Sequence, residues 1–319
     1  MSDAAFPYEV IVKNALIQAR GVVSAPDIAI AKALIPILKK SKGWISETAA
    51  EALKEKYKIS ENEFLLAVAE AAKTFAIAPI SKYRVGQAAR AGSGRVYWAV
   101  NLEFQGFALN HTVHSEQYMV SLLKLHGEKQ LKTLALLGPP CGHCRQFLRE
   151  LENWNDVKFL IPEHPPYFLS ELLPFSFGPE ELGTQGAVLG SKEWNLKYAA
   201  ARDFLRILPH TTAEKLLQTA QFSYAPYTKS PSAVLLVDKF GNGYRGMNID
   251  NVAFNPSMNA FSVAMVDLVS RSGKLKDISY VYVAELQKTK SSQLEMIRGV
   301  VGAYTSAKKI TVLPIELAD

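Results

Sequence analysis

The sequence predicts an α/β protein: a duplicated unit of three layers, with helices on both faces of a mixed sheet, behind a small helical amino-terminal domain. Strand-like and helical runs alternate after residue 60, the two halves match at one fixed spacing, and the first 58 residues read mainly as helix. The 319 residues exceed what one compact domain usually needs, which allows such a duplication. The expected division is a helical domain over 1–58, a first α/β unit over 59–162, a connection over 163–210 and a second α/β unit over 211–319.

Residues 28–40 are apolar with a basic end, and Pro36 should kink or split that helix, because its ring clashes with the preceding turn. Residues 47–56 are rich in Ala, Glu and Lys, all good helix formers. Residues 61–74 read as an amphipathic helix. Ser60 and Glu63 have the spacing of a capping box, in which each side chain satisfies a backbone N–H at the helix start. Strands are predicted at 96–104, 133–137 and 157–161, with helices at 113–126 and 143–151 between them. Gly127 falls where a helix must stop, since glycine accepts a left-handed cap. Residues 163–209 are richer in Pro and Gly and lack periodicity, so they read as connection. A helix at 213–222 and strands at 234–238, 280–285 and 310–315 follow.

The repeat appears at an offset of 147: Ala78 and Pro79 match Ala225 and Pro226, Lys82 matches Lys229, Gly94 matches Gly241, and Asn101 matches Asn248. Continued without gaps, Phe107 matches Phe254 and Ser115 matches Ser262. This register sets Phe261 opposite His114 and Val263 opposite Glu116, and the second half has no cysteine. The second copy therefore lacks the chemistry of the first.

Apolar residues at 48% and charged residues at 21% supply a large core. The net charge of +6 is spread along the chain rather than gathered in a basic tract, which argues against a nucleic-acid partner. The amino terminus carries Asp3 and Glu9 and has neither a secretory nor a transit pattern. No apolar stretch is long enough to span a membrane, so a cytoplasmic protein is expected. Only Cys141 and Cys144 are cysteines, and a C-x-x-C pair in that setting points to a metal or redox role before a disulfide.

His114-Ser115-Glu116 followed by Pro140-Cys141-Gly142-His143-Cys144 is the strongest signal in the chain. Two thiolates and an imidazole fill three corners of a tetrahedral zinc site and leave the fourth for water. The cysteine spacing places both sulfurs on the first turn of a helix, where unpaired N–H groups favour thiolate. Glu116, two residues past the ligand histidine, sits close to the metal without binding it and can move protons. The pattern H-x-E with P-C-x-x-C is the general signature of zinc deaminases. A zinc ribbon would need a second C-x-x-C pair, and a thioredoxin-like site would not explain His114 and Glu116. His143 should point off the metal face of its helix, whereas His111 remains a rival ligand.

These residues resemble the cytidine deaminases, and more narrowly the larger homodimeric type of enteric bacteria and plants. The resemblance runs from about Glu61 onward and includes a degenerate second domain, carried by Ser223-Tyr224-Ala225-Pro226-Tyr227 and Ala253-Phe254-Asn255-Pro256-Ser257. In the small tetrameric form three cysteines bind zinc and an arginine follows the glutamate. Here the ligand is His114 and Gln117 follows, and one fewer negative ligand needs no such cation.

The resemblance implies hydrolytic deamination of cytidine and deoxycytidine in pyrimidine salvage, with Zn2+ as cofactor, a nucleoside as substrate and a homodimer as the working form. It implies that Asn101 and Glu103 bind the ribose. Tyr83 stands where the family has a phenylalanine stacked near the pyrimidine, and Phe177 resembles an aromatic that reaches into the neighbouring subunit's site. Ser115 replaces an alanine whose backbone N–H meets the ring carbonyl. Pro139 replaces a threonine whose carbonyl meets the leaving ammonia, and proline keeps its carbonyl. Gln87 replaces a small residue near the pocket wall. Two other readings stay open: a deaminase of cytosine within RNA or DNA, which needs an open, basic, aromatic-lined groove, and a non-catalytic zinc module closed by a fourth ligand such as His111.

Overall fold

Two sheets that share one strand order organise the described residues of the computed structural model, namely 15–199, 209–305, 307 and 310–318. Residues 1–14 of the expected amino-terminal domain and 200–208 of the expected connection lie outside them. The first sheet holds β1 (Trp44–Ile45), β2 (Gly86–Ala91), β3 (Val96–Val100), β4 (Leu131–Leu136), β5 (Lys158–Leu160) and β6 (Tyr167–Phe168), in the order β1-β3-β2-β4-β5-β6. The second holds β7 (Leu196–Tyr198), β8 (Ser232–Asp238), β9 (Gly243–Met247), β10 (Ile278–Leu286) and β11 (Ile310–Leu317), in the order β7-β11-β10-β8-β9. The run β3-β2-β4-β5 thus recurs as β9-β8-β10-β11. In each, the last pair is parallel and the others antiparallel. This is the expected mixed sheet, twice.

The helices are α1 (Ile28–Lys40), α2 (Glu47–Tyr57), α3 (Glu61–Ala72), α4 (Ser115–Leu125), α5 (Gly142–Leu148), the single turn α6 (Leu169–Leu172), α7 (His210–Gln221), α8 (Ala260–Ser270) and α9 (Leu294–Tyr304). Asp27 caps α1 by accepting from the N–H groups of Ala29 and Ile30 at 2.8 and 3.0 Å, and the helix runs on through Pro36 instead of splitting. Packing outweighs the proline's cost here, since Ala31, Leu34 and Leu38 are buried in the common core. The capping box of α3 forms as its sequence dictates, with Ser60 accepting from Glu63 N–H and Glu63 from Ser60 N–H. Gly127 takes φ +72° after α4.

Two segments do more than the sequence indicated. The amino-terminal segment is not only helix, because β1 pairs antiparallel with β3, and Trp98 Nε1 donates to Ser41 Oγ at 2.8 Å. The stretch between the copies supplies an edge strand to each sheet, β6 to the first and β7 to the second.

β2, unforeseen from its Gly-Gln-Ala-Ala-Arg-Ala sequence, is a central strand with α3 on one face. A Cβ added at Gly86 would stand 2.1 Å from the Ala69 carbonyl oxygen. Because side chains alternate along a strand, Gln87 points to the other face, where α4 lies. Helices α4 and α8 meet between the two sheets, and one continuous core joins Leu122, Phe261, Val263 and Val266.

The structure corrects the register of the repeat. The bridge of Ile77 with Leu102 recurs at offset 147 as Tyr224 with Ile249, but Leu102 then pairs with Val113 whereas Ile249 pairs with Met258. The second copy is two residues shorter in this loop, turning tightly at Phe254 with φ +58°. It regains the two before β10, which starts 147 residues after β4. The cap of α8 is therefore Asn259 opposite His114, and Phe261, not Val263, stands opposite Glu116. Neither an imidazole nor a carboxylate occupies these two places at the second copy's helix start. The match of Ser262 with Ser115 is coincidental, whereas Phe107 and Phe254 precede the shift, each donating its N–H to the carbonyl three residues back, at Phe104 and Asn251.

Candidate active site

Two helix starts build the site. His114 is the cap residue of α4 and Cys141 that of α5, both with extended backbone, and Cys144 lies in the first turn of α5. His114 Nδ1 is 3.6 Å from Cys141 Sγ and 3.3 Å from Cys144 Sγ, and the sulfurs are 3.4 Å apart. Zinc bonds of about 2.3 Å to sulfur and about 2.0–2.1 Å to nitrogen give a tetrahedron with edges of about 3.5–3.8 Å. The donor set fits that ion with shifts of a few tenths of an ångström. The facing helix starts add partial positive charge that favours thiolate. The contact between the two sulfurs moves their pKa values apart, holding the Cys141 thiol down to about 4 and pushing Cys144 well above the ordinary thiol range.

Among the described residues no fourth His, Cys, Asp or Glu joins this cluster. His111 lies in the short turn before α4, outside it. His143 is also outside, its ring stacked on His114 at 5.3 Å between centroids, and burial followed by the nearby His114 lowers its pKa. The fourth corner is thus left by the protein to a water or a substrate, as a catalytic rather than an enclosed metal site requires. Glu116, in the first turn of α4, is buried, accepts from Ser115 Oγ at 3.1 Å and faces Cys144.

A cavity of about 380 Å³ opens onto these groups. It is lined by Tyr83, Asn101, Glu103, Ser115 and Pro139 as well as the metal cluster and Glu116. The volume lies in the range of small-molecule sites. Tyr83 is 70% exposed at the mouth, with its hydroxyl over Gly138. Phe177 lies outside its own chain's cavity and is half exposed. Its carbonyl accepts from Gln146 of α5 at 2.8 Å, and Arg149 holds the same loop through Ser176 and Glu180.

Asn101 and Glu103 have work in the protein itself. Asn101 accepts from Val85 N–H and donates to the Tyr83 carbonyl, both at 2.9 Å. Glu103 accepts from the N–H groups of Ile80 and Ser81 and from Ser81 Oγ. Burial raises its pKa, but these hydrogen bonds outweigh burial and leave it below the usual range. The second copy repeats the pattern residue for residue: Asn248 accepts from Ser232 N–H, and Asp250 from the N–H groups of Tyr227 and Thr228 and from Thr228 Oγ1. A loop brace shared by both copies serves folding first. In the first copy it also borders the cavity.

The second copy grips the helices of the candidate metal cluster from behind. Gln117 accepts from His114 N–H at 3.0 Å and donates to the Pro256 carbonyl at 2.8 Å. Glu150, just past α5 and fully buried, accepts from Tyr224 Oη at 2.7 Å, Tyr227 Oη at 3.0 Å and Val252 N–H at 2.6 Å. Nothing in the local sequence marks Glu150, because its partners are 74 to 102 residues away.

No helix among the described residues is long and apolar enough to cross a membrane. A family model described as the cytidine and deoxycytidylate deaminase zinc-binding region matches residues 59–160, and a second of the same description matches residues 169–298. A cytidine deaminase of Aliivibrio fischeri is 36% identical over 242 residues, 76% of this chain and 78% of that protein. A cytidine deaminase of Shewanella baltica is 35% identical over 289 residues, 90% of this chain and 92% of that protein. The crystal structure of cytidine deaminase from Mycobacterium tuberculosis is 31% identical, with a TM-score of 0.35, covering 37% of this chain and 98% of that one.

Proposed function

The chain belongs to the cytidine and deoxycytidylate deaminase family, and from that premise we infer that His114, Cys141 and Cys144 hold its zinc while Glu116 moves protons in the hydrolytic deamination of cytidine and deoxycytidine. The observation that carries this reading is the three-donor cluster with no fourth protein ligand, beside a buried carboxylate and at the floor of a nucleoside-sized cavity. Zinc, when bound, supplies a Lewis acid that lowers the pKa of water from 15.7 toward about 7.

The chain's own residues do the rest. As water adds to C4 of the pyrimidine, Glu116 takes its proton and passes it to N3. Glu116 then carries the proton of the new hydroxyl to the amino group, which leaves as ammonia, and the ring carbonyl forms. Ser115 Oγ, bonded to Glu116, limits the carboxylate's rotation. The Ser115 backbone N–H and the Pro139 carbonyl face the base, and Asn101 and Glu103 face the sugar from the braced loop. Tyr83 covers the mouth.

The division of labour follows the sequence segments: residues 59–162 carry the chemistry, and 211–319 form an inert copy that supports it. The working form is a homodimer in which Phe177 closes the neighbouring subunit's cavity, which accounts for its exposure here. The protein acts in the cytoplasm. Incubation with cytidine, followed by ammonia release and the ultraviolet change on uridine formation, tests the reading. No product with zinc-loaded protein would sink it, and product from a cytosine-containing single strand alone would replace the nucleoside with a polynucleotide.

A further inference from the structure

Gln87 has a fully buried carboxamide on β2, and neither its oxygen nor its nitrogen has a hydrogen-bond partner among the described residues. Buried polar atoms in native proteins are nearly always paired, so an amide with neither end satisfied demands a reason. Its position supplies one. Gln87 lies on the α4 face of the sheet, between Ala99 of β3 and Leu136 of β4, and it lines the cavity together with Leu136, Ser115 and Glu116.

The inert copy provides an internal control. At the same place in its sheet, between Gly246 and Val283, stands Val234. A Cβ at Gly246 would lie 2.1 Å from Ala264 N and 2.2 Å from the Ala260 carbonyl, so the backbone of α8 sits directly on the sheet there. In the active copy Ala99 replaces that glycine, and its neighbour Gln87 lines the cavity. Where the helix closes on the sheet, the chain places an aliphatic side chain. Where the cavity opens, it places an amide.

We propose that Gln87 is a specificity-determining residue whose amide completes its hydrogen bonds with the polar edge of the bound pyrimidine. The proposal rests on the deaminase reading of this cavity. A primary amide offers one acceptor and a donor side by side, the complement of a ring that carries a carbonyl or ring nitrogen next to an amino group. A site built this way rejects ligands that leave its polar groups unpaired far more strongly than an apolar pocket does.

The test compares wild type with Gln87→Met, which keeps length and volume but removes both polar atoms. Zinc content, thermal midpoint, KM and kcat for cytidine are measured together. The expected result is full zinc, a thermal midpoint equal to or above wild type, and kcat/KM lowered about tenfold or more, chiefly through KM. An unchanged KM overturns the assignment: with a lowered midpoint the amide serves the fold through an internal water, and with an unchanged midpoint it only fills space. Gln87→Ala guards against misfolding of the methionine variant and is expected to lose kcat/KM in the same way. Wild type that fails to deaminate cytidine would remove the deaminase reading and this assignment with it. Active wild type with an unaffected variant removes the assignment alone.

Discussion

Removing the Glu150 carboxylate measures how much the second copy contributes to the first. In Glu150→Ala three donors lose their acceptor: Tyr224 Oη, Tyr227 Oη and Val252 N–H. Tyr227, which accepts from Thr184 Oγ1 at 3.4 Å, is only part-buried and its hydroxyl can turn to water, so two buried groups are left unpaired. At about 1–3 kcal/mol each, the cost is about 2–6 kcal/mol. That is a large part of a stability that for most domains is about 5–15 kcal/mol. Glu150→Gln keeps an oxygen for Val252 N–H and turns an amide toward the tyrosine oxygens, so it costs about 1 kcal/mol.

The pH dependence has a definite sign. Burial raises the Glu150 pKa above its ordinary 4.5, so the folded state binds more protons than the unfolded one. Its contribution is full below about 4.5 and is lost as the pH rises through the raised value. Relative to Glu150→Gln, wild type therefore gains stability as the pH falls from 8 toward 5. Urea unfolding followed by tryptophan fluorescence, at several pH values, reads both effects. An alanine variant within about 0.5 kcal/mol of wild type, the range of an ordinary surface change, would refute the clasp.

Other variants probe separate links. Cys141→Ala should purify without zinc, and stoichiometric metal in it would contradict the ligand assignment. Gly86→Ala should destabilise by about 1–3 kcal/mol or more, because its methyl meets the α3 backbone at Ala69 and Lys73, and unchanged urea midpoints would show that α3 can retreat. Ser60→Ala should cost about 1 kcal/mol in the same assay through loss of the α3 cap, leaving cytidine turnover untouched.

Much of the candidate site was legible because its residues are local in sequence. The proposed ligands and Glu116 fall within two short motifs, and helix geometry brings each set together once its cap forms. The duplication was legible too, but its gap-free register is two residues out from Val113 through α4, back in step by β4. The match of Ser262 with Ser115 masked a shorter loop that only strand pairing exposes. Strand β2 escaped notice because Gly86, Ala88, Ala89 and Ala91 have low strand propensity and are buried, which erases the alternation that marks half-exposed strands. Helices α8 and α9 were missed, and α8 is buried almost all round, so its sequence shows no polar face. The brace made by Asn101 and Glu103, and the clasp at Glu150, depend on partners that only the folded chain supplies.

Metal content and cytidine turnover, determined side by side for wild type and Glu116→Ala, bear most directly on the central claim. Both proteins should hold stoichiometric zinc, while the variant turns over cytidine about 10²–10⁴-fold more slowly or worse, the scale of a lost general acid–base. A variant that deaminates at nearly the normal rate, or a wild type that deaminates with no metal bound, would contradict the account.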